Sequence, residues 1–138
     1  MSGAAPSALY PDSLLYHEGT LWLKALAGDE ALIGLTHFAQ NSLGSAVHVE
    51  LPAAGSVIAA GRSFGLIEAD KIAYELVAPA SGAIIETNAR LAQMPGLINE
   101  HPYTEGWLLR LRLTSPGELD ALMSAERYVA HFRLAMQR

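Results

Sequence analysis

The chain contains no cysteine, and this absence excludes more chemistry than any other feature of the composition. Without cysteine there are no disulfides, thiolate metal ligands, iron–sulfur clusters or cysteine nucleophiles. Any redox chemistry must therefore come from a group that is bound or attached. Lysine is nearly as scarce, because Lys71 is the only lysine after Lys24.

Positive charge is also in short supply. Nine Lys and Arg residues stand against 14 Asp and Glu, giving a net charge of −5. A nucleic-acid partner needs a basic face, so that function is not expected. The first ten residues have neither the basic start nor the apolar run of a secretory signal. No apolar run approaches the ~20 residues that span a bilayer. We expect a cytoplasmic protein without a membrane partner.

Catalytic and metal-binding motifs are missing as well. The five histidines show no ligand spacing, which predicts no metal site. There is no Gly-x-Ser-x-Gly elbow and no glycine-rich phosphate loop. The sequence therefore predicts no catalytic residue.

The length of 138 residues and the hydrophobic fraction of 51% predict one folded domain. The small, polar, proline-containing start predicts a flexible tail over residues 1–13. A single domain is then expected over residues 14–138.

The local patterns indicate mostly short strands. The segment Val47–Leu51 alternates in polarity, which predicts a half-buried strand with Val47, Val49 and Leu51 on one face. One short helix is expected over His37–Leu43, capped by Thr36 and ended by Gly44. Further strands are predicted over Leu14–Tyr16, Leu21–Leu26 and Ala31–Leu35.

Two similar segments lie 27 residues apart. Pro52–Ile58 and Pro79–Ile85 both read as a Pro-x-x-Gly turn followed by an apolar strand. The similarity predicts a duplicated sheet unit with two-fold character, although Pro-x-x-Gly is also a common turn sequence. Between them, two apolar arms flank a polar centre at Glu68–Lys71, which is typical of a β-hairpin. Lys71 is expected at the hairpin tip.

The end of the chain has helical signals. Ser115, Pro116 and Glu118 fit a capping box. A second helical segment is predicted from Ser124, with an apolar stripe of Tyr128, Phe132 and Met136.

Several short motifs occur in a fixed order between about Thr20 and Tyr128. They are Trp22, Ile33-Gly34-Leu35-Thr36, Ala39-Gln40, Leu43-Gly44, Val49-Glu50-Leu51-Pro52, Glu68-Ala69-Asp70-Lys71, Pro79-Ala80-Ser81-Gly82, Asn88, and Asn99 with Pro102-Tyr103 and Glu105-Gly106-Trp107. Taken in this order, they make the chain resemble the H protein of the glycine cleavage system. The sequence departs from that family at Thr20-Leu21, where the family has His-Glu, and at Asp70, where it has an apolar residue.

The resemblance implies a mainly β fold, the flattened sandwich of biotinyl and lipoyl attachment domains, with short helices and a C-terminal helical segment. It implies a non-catalytic carrier with lipoate attached to Lys71. The lipoyl arm would take an aminomethyl group from glycine decarboxylase to a tetrahydrofolate-dependent aminomethyltransferase. Dihydrolipoamide dehydrogenase would reoxidise the arm. A lipoate ligase or lipoyltransferase would attach it.

Other site residues follow from the same resemblance. We expect the attachment enzyme to recognise the hairpin through Glu68 and Asp70. A loaded arm needs shelter from water. We therefore expect His37, Ser42 and Ser45, with the segment Glu100–Gly106, to line a groove beside the hairpin.

Three alternatives remain open at this point. The first is an H-like carrier that keeps the fold and the lipoyl group but serves another pathway, such as sulfur oxidation or lipoyl relay. Biotin carriage is disfavoured, because biotinyl domains prefer Met on both sides of the lysine, where Asp70 and Ile72 stand here. An interaction module that is never modified is the third alternative.

Overall fold

Strands are the main regular secondary structure, which agrees with the mainly β prediction. The structure, a computed structural model, describes residues 9–18, 20–70 and 72–132. Within this part the strands are β1 Leu15–Tyr16, β2 Leu21–Ala25, β3 Glu30–Leu35, β4 Ala46–Glu50, β5 Val57–Ile58, β6 Ser63–Ala69, β7 Ala73–Val77, β8 Gly82–Thr87 and β9 Leu109–Leu113.

These strands make two antiparallel sheets. One has six strands in the order β1-β2-β3-β9-β8-β5, and the other has three in the order β4-β6-β7. The helices are α1 His37–Leu43, α2 Leu97–Glu100 and α3 Ala125–Phe132, with 3₁₀ segments at Ala89–Ala92 and Pro116–Ala121. The predicted strands and the predicted α1 are confirmed to within a residue at each end.

The main core lies between the two sheets. Ile33 and Leu111 of the large sheet are completely buried, and they share one apolar cluster with Ile67 and Leu76 of the small sheet. Each such side chain contributes about 1.5–3 kcal/mol through the apolar surface that it removes from water. This shared core fixes one sheet against the other, as in a β-sandwich.

A second, aromatic cluster attaches α3 to the large sheet. The ring of Tyr16 stacks on Tyr128, with centroids 4.9 Å apart. Tyr10 packs against both rings and is only 3% exposed. Tyr10, within the expected tail over residues 1–13, is thus part of the aromatic cluster. Residues 1–8 and Met136 lie outside the described residues.

Helix α1 begins and ends as its sequence predicts. The Thr36 side chain accepts a hydrogen bond from the Ala39 amide at 3.1 Å, and Gly44 ends the helix with a φ of +82°. The same Thr36 hydroxyl lies 2.9 Å from the hydroxyl of Tyr128. The cap therefore also connects α1 to α3.

The two similar segments pair with each other. Val57 lies opposite Ala83, and the Ile84 amide donates to the Ser56 carbonyl at 2.8 Å. The two segments thus pair as antiparallel strands. Their glycines differ, however. Gly55 forms the turn at φ +94°, whereas a Cβ on Gly82 would lie 2.6 Å from the Arg112 carbonyl oxygen.

The capping-box prediction at Ser115 is wrong. The Ser115 side chain makes no cap hydrogen bond, and the segment that follows is a 3₁₀ helix. The Glu118 carboxylate instead accepts hydrogen bonds from the backbone amide and the hydroxyl of Ser81, at 2.7 and 3.0 Å. Ser124 caps α3, since its hydroxyl accepts from the Arg127 amide at 3.2 Å.

Close packing predicts that Gly34→Ala destabilises the protein. A Cβ at position 34 would lie 2.5 Å from the ring of Trp22, which is buried and donates to the Pro102 carbonyl at 3.0 Å. We expect a loss of about 1–3 kcal/mol in the free energy of unfolding, measured by urea denaturation. Gly96→Ala is the control, because nothing lies within 4 Å of its Cβ position. Equal stability of the two variants would contradict this packing.

Buried tyrosines predict sensitivity to alkaline pH. Burial raises the pKa of Tyr16, Tyr103 and Tyr128 above the ordinary value of 10.0. Above pH 10 the unfolded chain releases protons that the folded protein keeps, so the free energy of unfolding falls as pH rises. The slope is at most about 1.4 kcal/mol per pH unit for each tyrosine.

Denaturation at several pH values between 9 and about 11 measures that slope. In Tyr128→Phe one ionisable group is gone, and we expect a shallower slope on top of a constant loss of about 1 kcal/mol from the missing hydrogen bond to Thr36. An unchanged slope would show that Tyr128 does not contribute to the alkaline transition.

Candidate functional site

The hairpin of β6 and β7 is the centre of the candidate site. Its register pairs Glu68 with Ala73 and Ile67 with Tyr74. The Ala69 amide donates to the Ile72 carbonyl at 2.8 Å, which closes the hairpin next to the turn. The predicted hairpin is thus confirmed. Lys71 lies outside the described residues, and it follows Asp70 in the sequence.

The hairpin tip is attached to the rest of the fold through the start of β4. The Asp70 amide donates to the Ser45 carbonyl at 3.2 Å. On either side of Ser45, the Asn99 side chain accepts from the Ala46 amide at 2.9 Å and donates to the Gly44 carbonyl at 2.7 Å. Helix α2 therefore holds the segment that in turn holds the tip.

Glu68 and Asp70, two exposed carboxylates, lie at this tip. Glu68 lies opposite His48 of β4, whose imidazole is 3.3 Å from the carboxylate of Glu50. Solvent screens charges at such exposed positions, so they contribute little to folding stability. The negative charge is thus available to a partner.

A cleft of about 240 Å³ lies beside the hairpin and includes its residue Ile72. We call it the hairpin cleft. None of the described residues that line it is charged, and most are apolar. The hydroxyls of Thr20 and Tyr74 form a hydrogen bond here. The lining residues are Thr20, Phe38, Ala39, Ser42, Leu43, Ile72 and Tyr74.

Thr20 has an unusual backbone at the edge of the hairpin cleft. Its φ is +83°, which is rare for a β-branched residue and costs on the order of 1–3 kcal/mol. Backbone hydrogen bonds hold it there, because its amide donates to the His17 carbonyl and its carbonyl accepts from the Thr36 amide. This conformation places the Thr20 hydroxyl against Tyr74. Burial also lowers the pKa of the neighbouring His17.

A second cavity, of about 360 Å³, lies between α1 and α2. His37, Gln40 and the segment from Asn99 to Thr104 line it. The Tyr103 hydroxyl accepts a hydrogen bond from the His37 amide at 2.8 Å. Burial raises the pKa of Tyr103, and this hydrogen bond partly opposes the rise.

The predicted groove is therefore divided. Ser42 lines the hairpin cleft, whereas His37 and part of the segment Glu100–Gly106 line the second cavity. Ser45 lines neither and contributes only its carbonyl, to Asp70. Helix α1 turns positions 37 and 42 to different sides. Their separation of five residues is about 1.4 turns of helix.

Sequence reasoning missed Thr20, Phe38 and Tyr74. Tyr74 could have been found, since the alternation along β7 places it on the same face as the buried Leu76. Thr20 gave no signal, because its residue type does not favour a positive φ.

The described part of the chain has no group of three or more His, Asp or Glu side chains placed to hold a metal ion. It also has no helix that is both long and apolar enough to cross a membrane.

Comparisons with known proteins agree with this arrangement. Residues 14–134 match the family model of the glycine cleavage H-protein. The glycine cleavage system H protein of Opitutus terrae is 42% identical over 118 residues, which is 86% of this chain and 93% of that protein. That of Magnetococcus marinus is 43% identical over 120 residues, covering 87% and 85%.

A solved structure gives the same result. The crystal structure of a glycine cleavage system H protein from Mycobacterium marinum superimposes with a TM-score of 0.82 at 34% identity. The match covers 90% of this chain and 99% of that one. It confirms the expected lipoyl-type β-sandwich, and the extent of all these matches leads to one conclusion. The chain belongs to the glycine cleavage H-protein family, whose members are non-catalytic lipoyl carriers in glycine cleavage.

Proposed function

We propose that Lys71 carries the lipoyl group of this H-protein family member. The observation that carries the proposal is the anchored hairpin. β6 ends at Ala69 and β7 begins at Ala73, the Ala69 amide donates to the Ile72 carbonyl, and the Asp70 amide donates to the Ser45 carbonyl. Lys71 follows Asp70 directly in the sequence, and the chain's other lysine, Lys24, lies on β2 of the large sheet. A rigid support holds a reactive arm in one direction.

Attachment is an acyl transfer to the lysine amine. An activated lipoate, either an acyl-adenylate or an acyl-carrier thioester, supplies the acyl group. The amide bond to Lys71 forms as the bond to the adenylate or thiol leaving group breaks, and the amine loses a proton. The modification removes the positive charge of the lysine. Glu68 and Asp70 then leave the tip with net negative charge.

The hairpin cleft fits the chemistry of a lipoyl group. When bound, this group supplies the disulfide that a cysteine-free chain lacks and the means to accept an aminomethyl group from glycine. Apolar lining from Phe38, Leu43 and Ile72 suits its hydrocarbon arm and its sulfur ring. The hydroxyls of Ser42, Thr20 and Tyr74 offer hydrogen bonds to an amine without adding charge.

The position at which this chain departs from the family, Thr20-Leu21, also affects the hairpin cleft. Leu21 is completely buried in the main core, so it has no contact with solvent. Thr20 instead faces the cleft with a hydroxyl. In this chain, shelter of the arm therefore depends on packing and hydroxyl groups rather than on a carboxylate from this segment.

The proposed cycle involves three enzymes. Glycine decarboxylase loads the arm with the aminomethyl group, and a tetrahydrofolate-dependent aminomethyltransferase unloads it. Dihydrolipoamide dehydrogenase reoxidises the arm, and a lipoate ligase or lipoyltransferase attaches it at the start. We place this cycle in the cytoplasm. Family membership supports a place in glycine cleavage. The exposed acidic tip supports contact with basic partner surfaces.

Intact mass tests lipoylation at Lys71. Protein from cells supplied with lipoate is expected to gain the mass of one lipoyl group, and Lys71→Ala is expected to gain none. Lys24→Ala is the matched control and should be modified like the wild type. No gain in the wild type, even with purified ligase, lipoate and ATP, would remove the proposal and favour an unmodified interaction module.

Partner enzymes separate glycine cleavage from another lipoyl pathway. With purified glycine decarboxylase, the lipoylated protein is expected to support exchange of the glycine carboxyl carbon with CO₂. A protein that is fully lipoylated yet supports no exchange would indicate an H-like carrier of a different pathway.

A substitution in the hairpin cleft tests shelter of the arm. Ser42→Phe fills the cleft from an exposed position, and we expect the loaded arm to release formaldehyde several-fold faster because water reaches it. His37→Ala is the control, since His37 lines the second cavity.

The reference is the release rate from free aminomethyl-dihydrolipoamide. A wild-type rate equal to that of the free compound would show that no shelter exists. A faster rate in His37→Ala alone would place the arm in the second cavity.

A further inference from the structure

A pocket of about 470 Å³ lies at the end of the β6–β7 hairpin that is opposite its tip. Ala60 precedes β6 and Pro79 follows β7, and both residues line this pocket. The rest of its lining comes from the turn after β1, from the region of the second 3₁₀ segment, and from α3. We call it the basal pocket. Among the described residues, it shares no lining residue with the hairpin cleft.

Arg127 brings a positive charge to the basal pocket from an exposed position on α3. Its backbone amide donates to Ser124, but its guanidinium forms no ion pair or hydrogen bond with any other residue that the structure describes. A guanidinium binds a carboxylate through two parallel hydrogen bonds. The pocket therefore offers an unused site for a carboxylate.

The two carboxylates of the basal pocket differ in what they already bind. Both oxygens of Glu118 accept hydrogen bonds from Ser81, one from its amide and one from its hydroxyl. The side chain of Glu18 is 75% exposed, and its nearest cationic partner is the imidazole of His131 at 4.0 Å. Glu18 is thus the carboxylate that a positively charged ligand group can approach.

The floor of the basal pocket is apolar and uncharged. Pro79 is buried there, and Leu122 and Met123 are half-buried beside it. His17 also lines the pocket, and burial lowers its pKa, so its imidazole is uncharged at neutral pH. An aliphatic or thioether side chain would find matching contacts on this floor.

We propose that the basal pocket binds a free α-amino acid with an apolar side chain. The ligand carboxylate lies on Arg127, its ammonium group lies near Glu18, and its side chain packs against Leu122 and Met123. These three groups of the pocket match the three recognisable parts of such a ligand. The volume lies within the range of about 300–1,000 Å³ that is typical of small-molecule sites.

Other ligand classes fit this set of groups less well. A phosphate ester brings two negative charges, which the carboxylates of Glu18 and Glu118 repel. A simple fatty acid would bind Arg127 but would leave the charge of Glu18 without a partner. Binding in the basal pocket leaves the hairpin tip at Asp70 open, so it is independent of lipoylation at Lys71.

The test is an NMR titration of the full-length chain, without the lipoyl group, with L-leucine. We expect saturable shifts of the amide signals of Glu18, Met123 and Arg127, with a Kd of about 1 mM. Isocaproate lacks the ammonium group of leucine, isopentylamine lacks its carboxylate, and glycine lacks its side chain. Each of these three compounds is expected to bind at least about tenfold more weakly, because each loses one of the three contacts.

Variants locate the contacts. Arg127→Gln and Glu18→Gln are each expected to weaken binding of L-leucine about tenfold or more, since each removes one charge-assisted contact. Arg90→Gln is the matched control, because Arg90 is an exposed arginine that does not line the basal pocket. It should remain within about twofold of the wild type. Thermal unfolding of all three variants checks that the fold is intact.

Three outcomes would overturn the amino-acid site. The first is the absence of saturable shifts with L-leucine well above about 1 mM. The second is an unchanged affinity in Arg127→Gln or an equal loss in Arg90→Gln. The third is equal affinity for L-leucine and isocaproate, which would indicate a site for simple carboxylates. None of these outcomes affects the function proposed for Lys71, and failure of lipoylation would leave the titration unchanged.

Discussion

The side chain of Asn99 is the contact on which the position of the hairpin depends. One amide group accepts from the Ala46 backbone and donates to the Gly44 carbonyl, so it fixes both sides of Ser45. Ser45 then accepts from Asp70 at the hairpin tip. The Asn99 side chain also donates to the side-chain oxygen of Gln40, a buried residue of α1. These hydrogen bonds thus connect α1 and α2 to Asp70 at the hairpin tip.

The β-bulge of β4 lies within this same region. The Ala46 amide donates to the Asn99 side chain, and His48 lies opposite Glu68. The register shift between these two positions makes Val47 the extra residue, with 56% of its surface exposed, so it does not share a buried face with Val49. The irregularity of β4 thus lies next to the contacts that anchor the hairpin.

The two cavities near the hairpin differ in chemistry. The hairpin cleft is lined by apolar and hydroxyl groups, and none of its described residues is charged. The second cavity includes histidines and Glu100. Electrostatic interactions strengthen where water is excluded, so an uncharged cleft suits an arm that must enter and leave repeatedly. A buried ion pair would hold the arm more tightly than a carrier requires.

Much of the fold and the key residue of the candidate site follow from the sequence. Alternation in β6 and β7, the cap at Thr36 and Gly44 after α1 are local signals, because neighbouring residues alone decide strand period and helix ends. The ordered motifs identify the carrier family, and the resemblance predicts Lys71 as its attachment residue. Ser115 shows the limit of such signals, since Glu118 found a better partner in Ser81, 37 residues away.

Only the tertiary structure decided what lies beside the hairpin. The burial of Tyr10, the positive φ of Thr20 and the outward turn of Val47 all result from contacts between distant segments. The division of His37 and Ser42 between two cavities has the same origin, because α2 and β7 pack against different sides of α1. The sequence by itself determined most strand and helix limits and the motifs that identify the family. Long-range packing decided which cavities lie beside the hairpin, since no local pattern encodes where separate elements meet.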